Sequence, residues 1–277
     1  MKNIKGVPNV FLSTALMLLI AGIFQSGVLL YVEYKQVSAD LSQLLQLFSC
    51  IFLVIIIFIY TRKKMPVESM GIKKEHFLSH YLLGHLIGFI TLSGALGITL
   101  MFQGATFLGF TLKDVFLWIL FFIAFMIQGF EEELLCRGFM MAGLKKEMSV
   151  FSAMMVNSLF FAALHWGNPG ISILALVNLF LAGLSFSAMA VYFDDLWVAS
   201  GAHSMWNFAQ GNIYGILVSG MSMGPTLFCF ELKGMDFISG GNFGLEGGIG
   251  VFFIELLTLL VFVFLWKRKK SLSDHVA

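Results

Sequence analysis

The segment VFLWILFFIAFMIQGFEEELLCRG, residues 115–138, decides the class of fold, because it joins an uncharged apolar stretch to three consecutive glutamates. A carboxylate at the centre of a membrane helix costs about 2.5–3.5 kcal/mol on insertion scales, so it requires a function or a partner. Glu133 and Arg137 are four residues apart and share a helix face, which predicts an intrahelical ion pair. Glu132 faces about 100° away from Glu133 and needs a different partner. The segment therefore predicts a membrane helix whose glutamates have a functional role or buried partners.

The composition of the whole chain supports the membrane class. Of its 277 residues, 58% are hydrophobic and 12% are charged, whereas roughly a quarter of the residues of soluble domains are charged. A net charge of +1 and the lack of a basic, aromatic-rich face argue against a nucleic-acid partner. Cys50, Cys136 and Cys229 show no CxxC spacing and are predicted to be small core residues. We therefore predict an all-α, polytopic membrane protein whose surroundings are the lipid bilayer.

Apolar segments long enough to cross a hydrocarbon core of about 30 Å can be marked directly. They predict about eight transmembrane helices, with an uncleaved first span, in a single membrane domain over residues 1–277. The motif-bearing core of that domain is predicted at about 115–217. The predicted spans are 8–32, 42–60, 80–102, 115–144, 149–166, 171–192, 196–217 and 249–266.

The basic residues predict the orientation, because Lys and Arg in short loops stay on the cytoplasmic side. With eight spans and a cytoplasmic N-terminus, most of them fall on one face, and both termini are cytoplasmic in the cell membrane. The opposite face then holds only Lys35, Lys113 and Lys233, and the loop 219–248 is extracellular. The basic face contains Lys2, Lys5, Arg62, Lys63, Lys64, Lys73, Lys74, Lys145, Lys146, Lys267, Arg268, Lys269 and Lys270.

Polar side chains on later spans could partner Glu132. His165 ends the fifth span, and counting residues from the turn at Lys145–Lys146 predicts a depth similar to that of Glu132. His203 and Asn207, four residues apart, share one face of the seventh span. The same counting places His203 nearer the cytoplasmic end than His165, so only a shifted or bent helix would bring all four together.

These residue types suit two kinds of hydrolytic site. Burial in a pocket of low dielectric makes Glu132 a candidate general base. His165 could orient the attacking water, while His203 and the amide of Asn207 could donate hydrogen bonds to an oxyanion. In the second kind, Glu132, His165 and His203 would bind zinc and leave one position open for water. The residues leave both possibilities open, so the cofactor is either none or zinc.

Three motifs in order, Glu132-Glu133-x-x-x-Arg137, Phe161-x-x-x-His165 and His203-x-x-x-Asn207, resemble the signature of the CAAX-protease and bacteriocin-processing family, called CPBP or Abi. The resemblance implies eight helices and a glutamate-type CAAX prenyl protease, although the family is commonly labelled a metalloendopeptidase. It implies that Glu132 and His165 activate water and that His203 and Asn207 stabilise the oxyanion. Glu133 and Arg137 are supporting residues.

The resemblance also predicts the class of substrate. Eukaryotic relatives cleave prenylated CAAX proteins, and bacterial relatives are linked to peptide maturation, bacteriocin immunity or surface display. The short loops are more similar to the bacterial branch. We therefore expect an intramembrane endopeptidase that acts on a membrane-associated or prenylated CAAX-like or precursor peptide.

Two other functions are considered beside the protease. A non-catalytic membrane scaffold or bacteriocin self-immunity protein would share the fold. A proton-coupled transporter using Glu132 and Glu255 would predict repeated spans interrupted by Gly or Pro, and the sequence contains no such repeat. We expect Glu255 instead to accept a hydrogen bond from an interhelical donor. The candidate donors are Asn178, Gln210 and Asn212.

Overall fold

The chain folds into a helical bundle with one small sheet. The computed structural model describes residues 6–276, with the side chains of residues 6–272. The elements are α1 (Val7–Lys35), α2 (Ala39–Ser49), α3 (Ile51–Thr61), α4 (Phe77–Met101), β1 (Ala105–Phe110), α5 (Val115–Glu133), α6 (Ala142–Glu147), α7 (Val150–Leu164), α8 (Ile173–Phe193), α9 (Trp197–Phe208), β2 (Phe228–Leu232), α10 (Asp236–Ser239) and α11 (Ile249–Val276). Segments of π-helix, Leu134–Met141 and Ala209–Ile213, directly follow α5 and α9. The predicted all-α membrane fold is confirmed, with a two-stranded sheet that was not predicted.

Each predicted span coincides with helix, but the helices differ in length. Within residues 6–276, six helices are long and apolar enough to cross a membrane. The remaining two predicted spans correspond to α7, which has 15 residues, and to α9, which has 12 and continues as π-helix. Eight crossings therefore remain a prediction. The six candidate spans are Val7–Lys35, Ala39–Thr61, Phe77–Met101, Val115–Glu147, Ile173–Phe193 and Ile249–Leu272.

Side-chain caps define where several helices begin. Asp114 accepts a hydrogen bond from the backbone N–H of Leu117 at 2.9 Å, and this fixes the start of α5. Ser149 and Ser172 occupy the same position before α7 and α8. Such caps satisfy backbone donors that the first turn of a helix leaves unpaired. The first residues of α5, α7 and α8 are thus determined by the capping residue directly before each helix.

The outer helices present large apolar side chains to their surroundings. Leu12 on α1 is 70% exposed, and Phe264 on α11 is 62% exposed. In water such a surface would be unfavourable, whereas lipid tails solvate it without cost. These helices therefore face the bilayer.

Contacts between distant segments bring the described part of the predicted basic face together at one end of the bundle, and Lys2 and Lys5 lie outside the described residues. Lys73 forms an ion pair with Asp194 at 2.5 Å. Lys269 donates to the carbonyl oxygen of Tyr192. The backbone N–H of Gly6 donates to Glu147. We call this the basic end. The opposite end holds the turns 36–38 and 165–172, the segment 102–114 with strand β1, and the segment 214–248.

The segment 214–248 folds back onto the bundle instead of extending away from it. Strand β2 within it pairs antiparallel with β1, in the register Ala105↔Leu232 to Phe110↔Phe228. Phe243 and Leu245 are fully buried. The sequence predicted a loop here and gave no sign of this packing. The residues that a Gly-rich loop contacts are distant from it in the sequence.

Glycines allow close contact between α9 and the two helices beside it. A Cβ at Gly84 or Gly88 of α4 would overlap a backbone carbonyl oxygen of α9, and one at Gly129 of α5 would overlap Ser204. Small residues spaced four apart are a common basis of close packing between membrane helices. Helix α9 is therefore fixed against α4 and α5, and its residues His203 and Asn207 are held with it.

Gly88→Val should destabilise the protein by about 1–3 kcal/mol, because the new side chain must displace α9. Thermal unfolding in detergent measures the change. Gly97→Val is the matched control, since it lies on the same helix and a Cβ there meets nothing within 4 Å. Equal losses in both variants would show that helix propensity, rather than contact with α9, determines the effect.

Candidate active site

The predicted ion pair between Glu133 and Arg137 is present and completely buried. Arg137 Nη1 lies 2.7 Å from Glu133 Oε1, and both side chains are 0% exposed. Nη2 of the same guanidinium donates to the carbonyl oxygen of Gly183 at 2.8 Å. Its central carbon lies 4.8 Å from the ring centre of Phe161 and 5.5 Å from that of Phe186. The pair joins α5 to α7 and α8 and neutralises one of the three glutamates.

His203 lies between two of the glutamates. Its Nδ1 donates to Glu133 Oε1 at 3.0 Å, and its Nε2 lies 3.7 Å from Glu132 Oε2. The imidazole also stacks on Phe186, with ring centres 5.0 Å apart. Because Nδ1 is engaged by Glu133, Nε2 is the nitrogen that faces Glu132. Glu133 thus orients the histidine, as a carboxylate orients the base of a catalytic triad.

Asn207 reaches Glu132 through a third side chain. Its amide nitrogen donates to Gln128 Oε1 at 3.0 Å, and Gln128 Nε2 donates to Glu132 Oε1. Gln128 precedes Glu132 by four residues and lies on the same face of α5, a spacing that could have identified it from the sequence. The two glutamate oxygens therefore have different neighbours, an amide at Oε1 and His203 at Oε2.

His165 lies at the end of α7, where Nδ1 is hydrogen-bonded and Nε2 is available as an acceptor. Its Nδ1 lies 2.9 Å from the carbonyl oxygen of Phe161. A carbonyl only accepts hydrogen bonds, so Nδ1 carries the hydrogen and Nε2 is an acceptor when the ring is neutral. The ring of Phe161 lies 5.0 Å from that of His165 and 5.9 Å from that of His203. One phenyl ring thus separates the two histidines.

One cavity of about 330 Å³ is lined by all four predicted catalytic residues, Glu132, His165, His203 and Asn207. The side chain of Glu132 is 24% exposed, so it is accessible within the bundle. The supporting residues Glu133 and Arg137 lie behind this wall and do not line the cavity. The sequence predicted that these residues would meet only if a helix were shifted or bent, and in the structure all four line this one cavity.

The cavity also contains residues that the sequence did not point to. Glu246, from the segment predicted to be a loop, lines it and accepts hydrogen bonds from the backbone N–H and the hydroxyl of Ser219 at 2.6 and 2.9 Å. Burial raises the pKa of Glu246, and the two bonds from Ser219 oppose that rise. Asn168, three residues after His165, donates to the carbonyl oxygen of Ser219. These bonds link the turn after His165 to the segment 214–248 at the wall of the cavity.

Glu255 lines the same cavity, but its expected partners are engaged elsewhere. Asn178 donates to the carbonyl oxygens of Glu246 and Gly248. The amides of Gln210 and Asn212 donate to the backbone oxygens of Leu217 and Pro225. The three amides are therefore not the donors, and the interhelical donor beside the carboxyl group of Glu255 is the hydroxyl of Ser185 on α8. Backbone carbonyls of the segment 214–248 use these amides instead.

The zinc alternative does not fit the donor geometry. In the part of the chain that the structure describes, no three His, Cys, Asp or Glu side chains converge in a way that could hold a metal ion. Nδ1 of His203 and of His165 donates within the protein, which leaves Nε2 of each ring as the nitrogen available to a metal, and these atoms do not converge with Glu132 as a set of three. The chemistry is therefore derived from the side chains alone.

A comparison with protein families agrees with this geometry. Residues 114–209 match the family described as type II CAAX prenyl endopeptidase Rce1-like. The matched segment runs from the cap of α5 to the residue after α9 and includes Glu132, His165, His203 and Asn207. No curated protein and no solved structure is significantly similar to the chain. Residues 114–209 are thus similar to the type II CAAX prenyl endopeptidase Rce1-like family.

Proposed function

We propose that this protein is an intramembrane endopeptidase. It hydrolyses a peptide bond in a membrane-associated substrate, either a prenylated CAAX-like peptide or a precursor peptide. The observation that carries the proposal is the meeting of Glu132, His165, His203 and Asn207 at one cavity inside a bundle of membrane helices. Acid–base groups and hydrogen-bond donors around one cavity are what peptide hydrolysis requires.

In the proposed reaction Glu132 is the general base. It removes a proton from water while the water oxygen attacks the carbonyl carbon of the scissile bond, and the carbonyl oxygen becomes an oxyanion. His165 Nε2, an acceptor in the neutral ring, orients the same water. When the C–N bond breaks, the protonated Glu132 returns the proton to the leaving amine. Gln128, which donates to Glu132 Oε1, is a positioning residue that holds this carboxylate.

His203 and Asn207 are proposed to stabilise the oxyanion. As an imidazolium, His203 has an N–H at each ring nitrogen, one directed to Glu133 and one toward Glu132 and the cavity. Asn207 uses one amide hydrogen on Gln128 and retains another. Donors already fixed by the protein need no reorganisation when charge develops, which is the source of oxyanion-hole catalysis.

Cleavage of a peptide panel tests the function. Purified protein in detergent is given prenylated CAAX peptides and unprenylated precursor peptides, with and without a metal chelator. We expect cleavage of at least one peptide in both conditions. Loss with chelator and recovery with zinc would instead support a metalloenzyme. A lack of cleavage across the panel would favour the non-catalytic scaffold or immunity protein.

The orientation of the bundle determines the side from which the substrate arrives. The cavity is lined by residues from the half of the bundle opposite the basic end, such as Gln25, Gln43 and Ser219. If the basic end is cytoplasmic, as the positive-inside rule predicts, both termini are cytoplasmic and the cavity faces the other side. We therefore propose that the substrate reaches the cavity from the extracytoplasmic side.

Cysteine labelling tests this orientation. In a variant whose native cysteines are replaced, Glu231→Cys at the cavity end should react with a membrane-impermeant maleimide in intact cells. Lys146→Cys at the basic end should react only after the cells are opened. The reverse pattern would invert the topology and place the cavity on the cytoplasmic side.

A further inference from the structure

Two of the side chains that line the cavity each have a buried oxygen atom without a hydrogen-bond partner. Within the described residues, several buried side-chain oxygens lack a partner, and those of Glu255 Oε2 and Asn178 Oδ1 belong to residues that line the cavity. Glu255 is 3% exposed and Asn178 is 1% exposed. A buried acceptor without a donor is unfavourable by about 1–3 kcal/mol. A donor supplied by a ligand would remove that cost at both atoms.

The assignment of the asparagine oxygen rests on its other contacts. The amide nitrogen of Asn178 lies 2.7 Å from the carbonyl oxygen of Glu246 and 2.9 Å from that of Gly248. Two carbonyl oxygens can only be met by the NH₂ group, so the remaining atom of the amide is the oxygen. Asn178 therefore presents an acceptor and no donor to a ligand.

The charges around these two atoms favour a cationic donor. Three carboxylates, those of Glu132, Glu246 and Glu255, line the cavity, and neither lysine nor arginine does. Glu255 is close enough to Glu246 and His203 to interact with both electrostatically. In a site of low dielectric, a carboxylate without a lysine or arginine partner attracts a cation more strongly than it would in water.

We infer that Glu255 and Asn178 form a subsite for a basic side chain of the substrate, Lys or Arg, close to the scissile bond. The inference rests on the proposed function and specifies the class of its substrate. The carboxylate of Glu255 receives the ammonium or guanidinium group, and Asn178 Oδ1 accepts a second N–H from it. The apolar wall formed by Leu179 and Val251 is suited to the methylene groups of the same side chain.

Matched peptides test the subsite. A peptide that the protein cleaves is synthesised with lysine, acetyl-lysine or norleucine at each position flanking the scissile bond. We expect wild-type kcat/KM to be about tenfold higher for lysine than for norleucine at one position, as for a buried charge pair. Acetyl-lysine should behave like norleucine, because it retains the length but not the charge. Equal values for the three peptides at every position would overturn the inference without the use of any variant.

Substitution of Glu255 tests whether this carboxylate is responsible for the preference for lysine. In Glu255→Gln the ratio of kcat/KM for the lysine and norleucine peptides should fall to about one. Glu231→Gln, an exposed glutamate on β2 outside the cavity, is the matched control and should keep the wild-type ratio. A preference for lysine that survives Glu255→Gln would assign it to another group and contradict the subsite.

Measurements of peptide binding test the subsite independently of the proposed protease activity. The affinity of the lysine and norleucine peptides for Glu132→Gln is measured without turnover, alone and combined with Glu255→Gln. Preferential binding of the lysine peptide that Glu255→Gln abolishes would support the subsite even if no peptide were hydrolysed. Cleavage without any preference for lysine would support the protease and reject the subsite.

Discussion

Glu132→Gln should lower kcat for peptide hydrolysis by about 10³-fold or more, because it removes the proposed general base. The substitution keeps the shape of the side chain and an oxygen that can accept from Gln128. Folding and peptide binding should therefore change little. Single-turnover kinetics in detergent measure the chemical step directly, and thermal unfolding verifies that the variant is folded.

Glu75→Gln is the control for this experiment. Glu75 is exposed near the basic end and does not line the cavity, so the same chemical change there should leave kcat unaltered. A Glu132→Gln enzyme that retained more than about a tenth of wild-type kcat would exclude Glu132 as the base, since general-base catalysis contributes about 10²–10⁴-fold. An increase in KM with unchanged kcat would assign Glu132 to substrate binding.

The sequence predicted those parts of the site that depend on helical spacing. The ion pair of Glu133 and Arg137 follows from a separation of four residues, and the structure contains it. His203 and Asn207 share a face for the same reason and line the same cavity. The long spans could be predicted because the thickness of a bilayer sets the length of an apolar helix.

The sequence did not reveal contacts between segments that are far apart. Glu246 lies in a Gly-rich segment whose return to the cavity depends on Ser219 and Asn178. No local pattern encodes that return. Residue counts also could not show the close packing through Gly84 and Gly88 that fixes α9 against α4. Long-range packing, rather than local propensity, thus completes the candidate site.

Arg137→Met should destabilise the protein by about 3–5 kcal/mol, because it removes the guanidinium that pairs with the buried carboxylate of Glu133. The carbonyl oxygen of Gly183 keeps a donor, since the hydroxyl of Ser187 also bonds to it at 2.7 Å. Lys73→Met is the control. It breaks an ion pair whose side chains are 33% and 77% exposed, and such pairs contribute at most about 1 kcal/mol. Comparable losses in the two variants would contradict a special role for burial.

The double variant Glu133→Leu with Arg137→Met should separate stability from catalysis. Replacing both members of a buried pair with apolar side chains is often neutral or stabilising, so thermal stability should recover most of what Arg137→Met loses. Peptide hydrolysis should not recover, because His203 Nδ1 loses the acceptor that orients its ring. Recovery of both would mean that the pair has only a structural role. Recovery of stability alone would identify Glu133 as the positioning residue of His203.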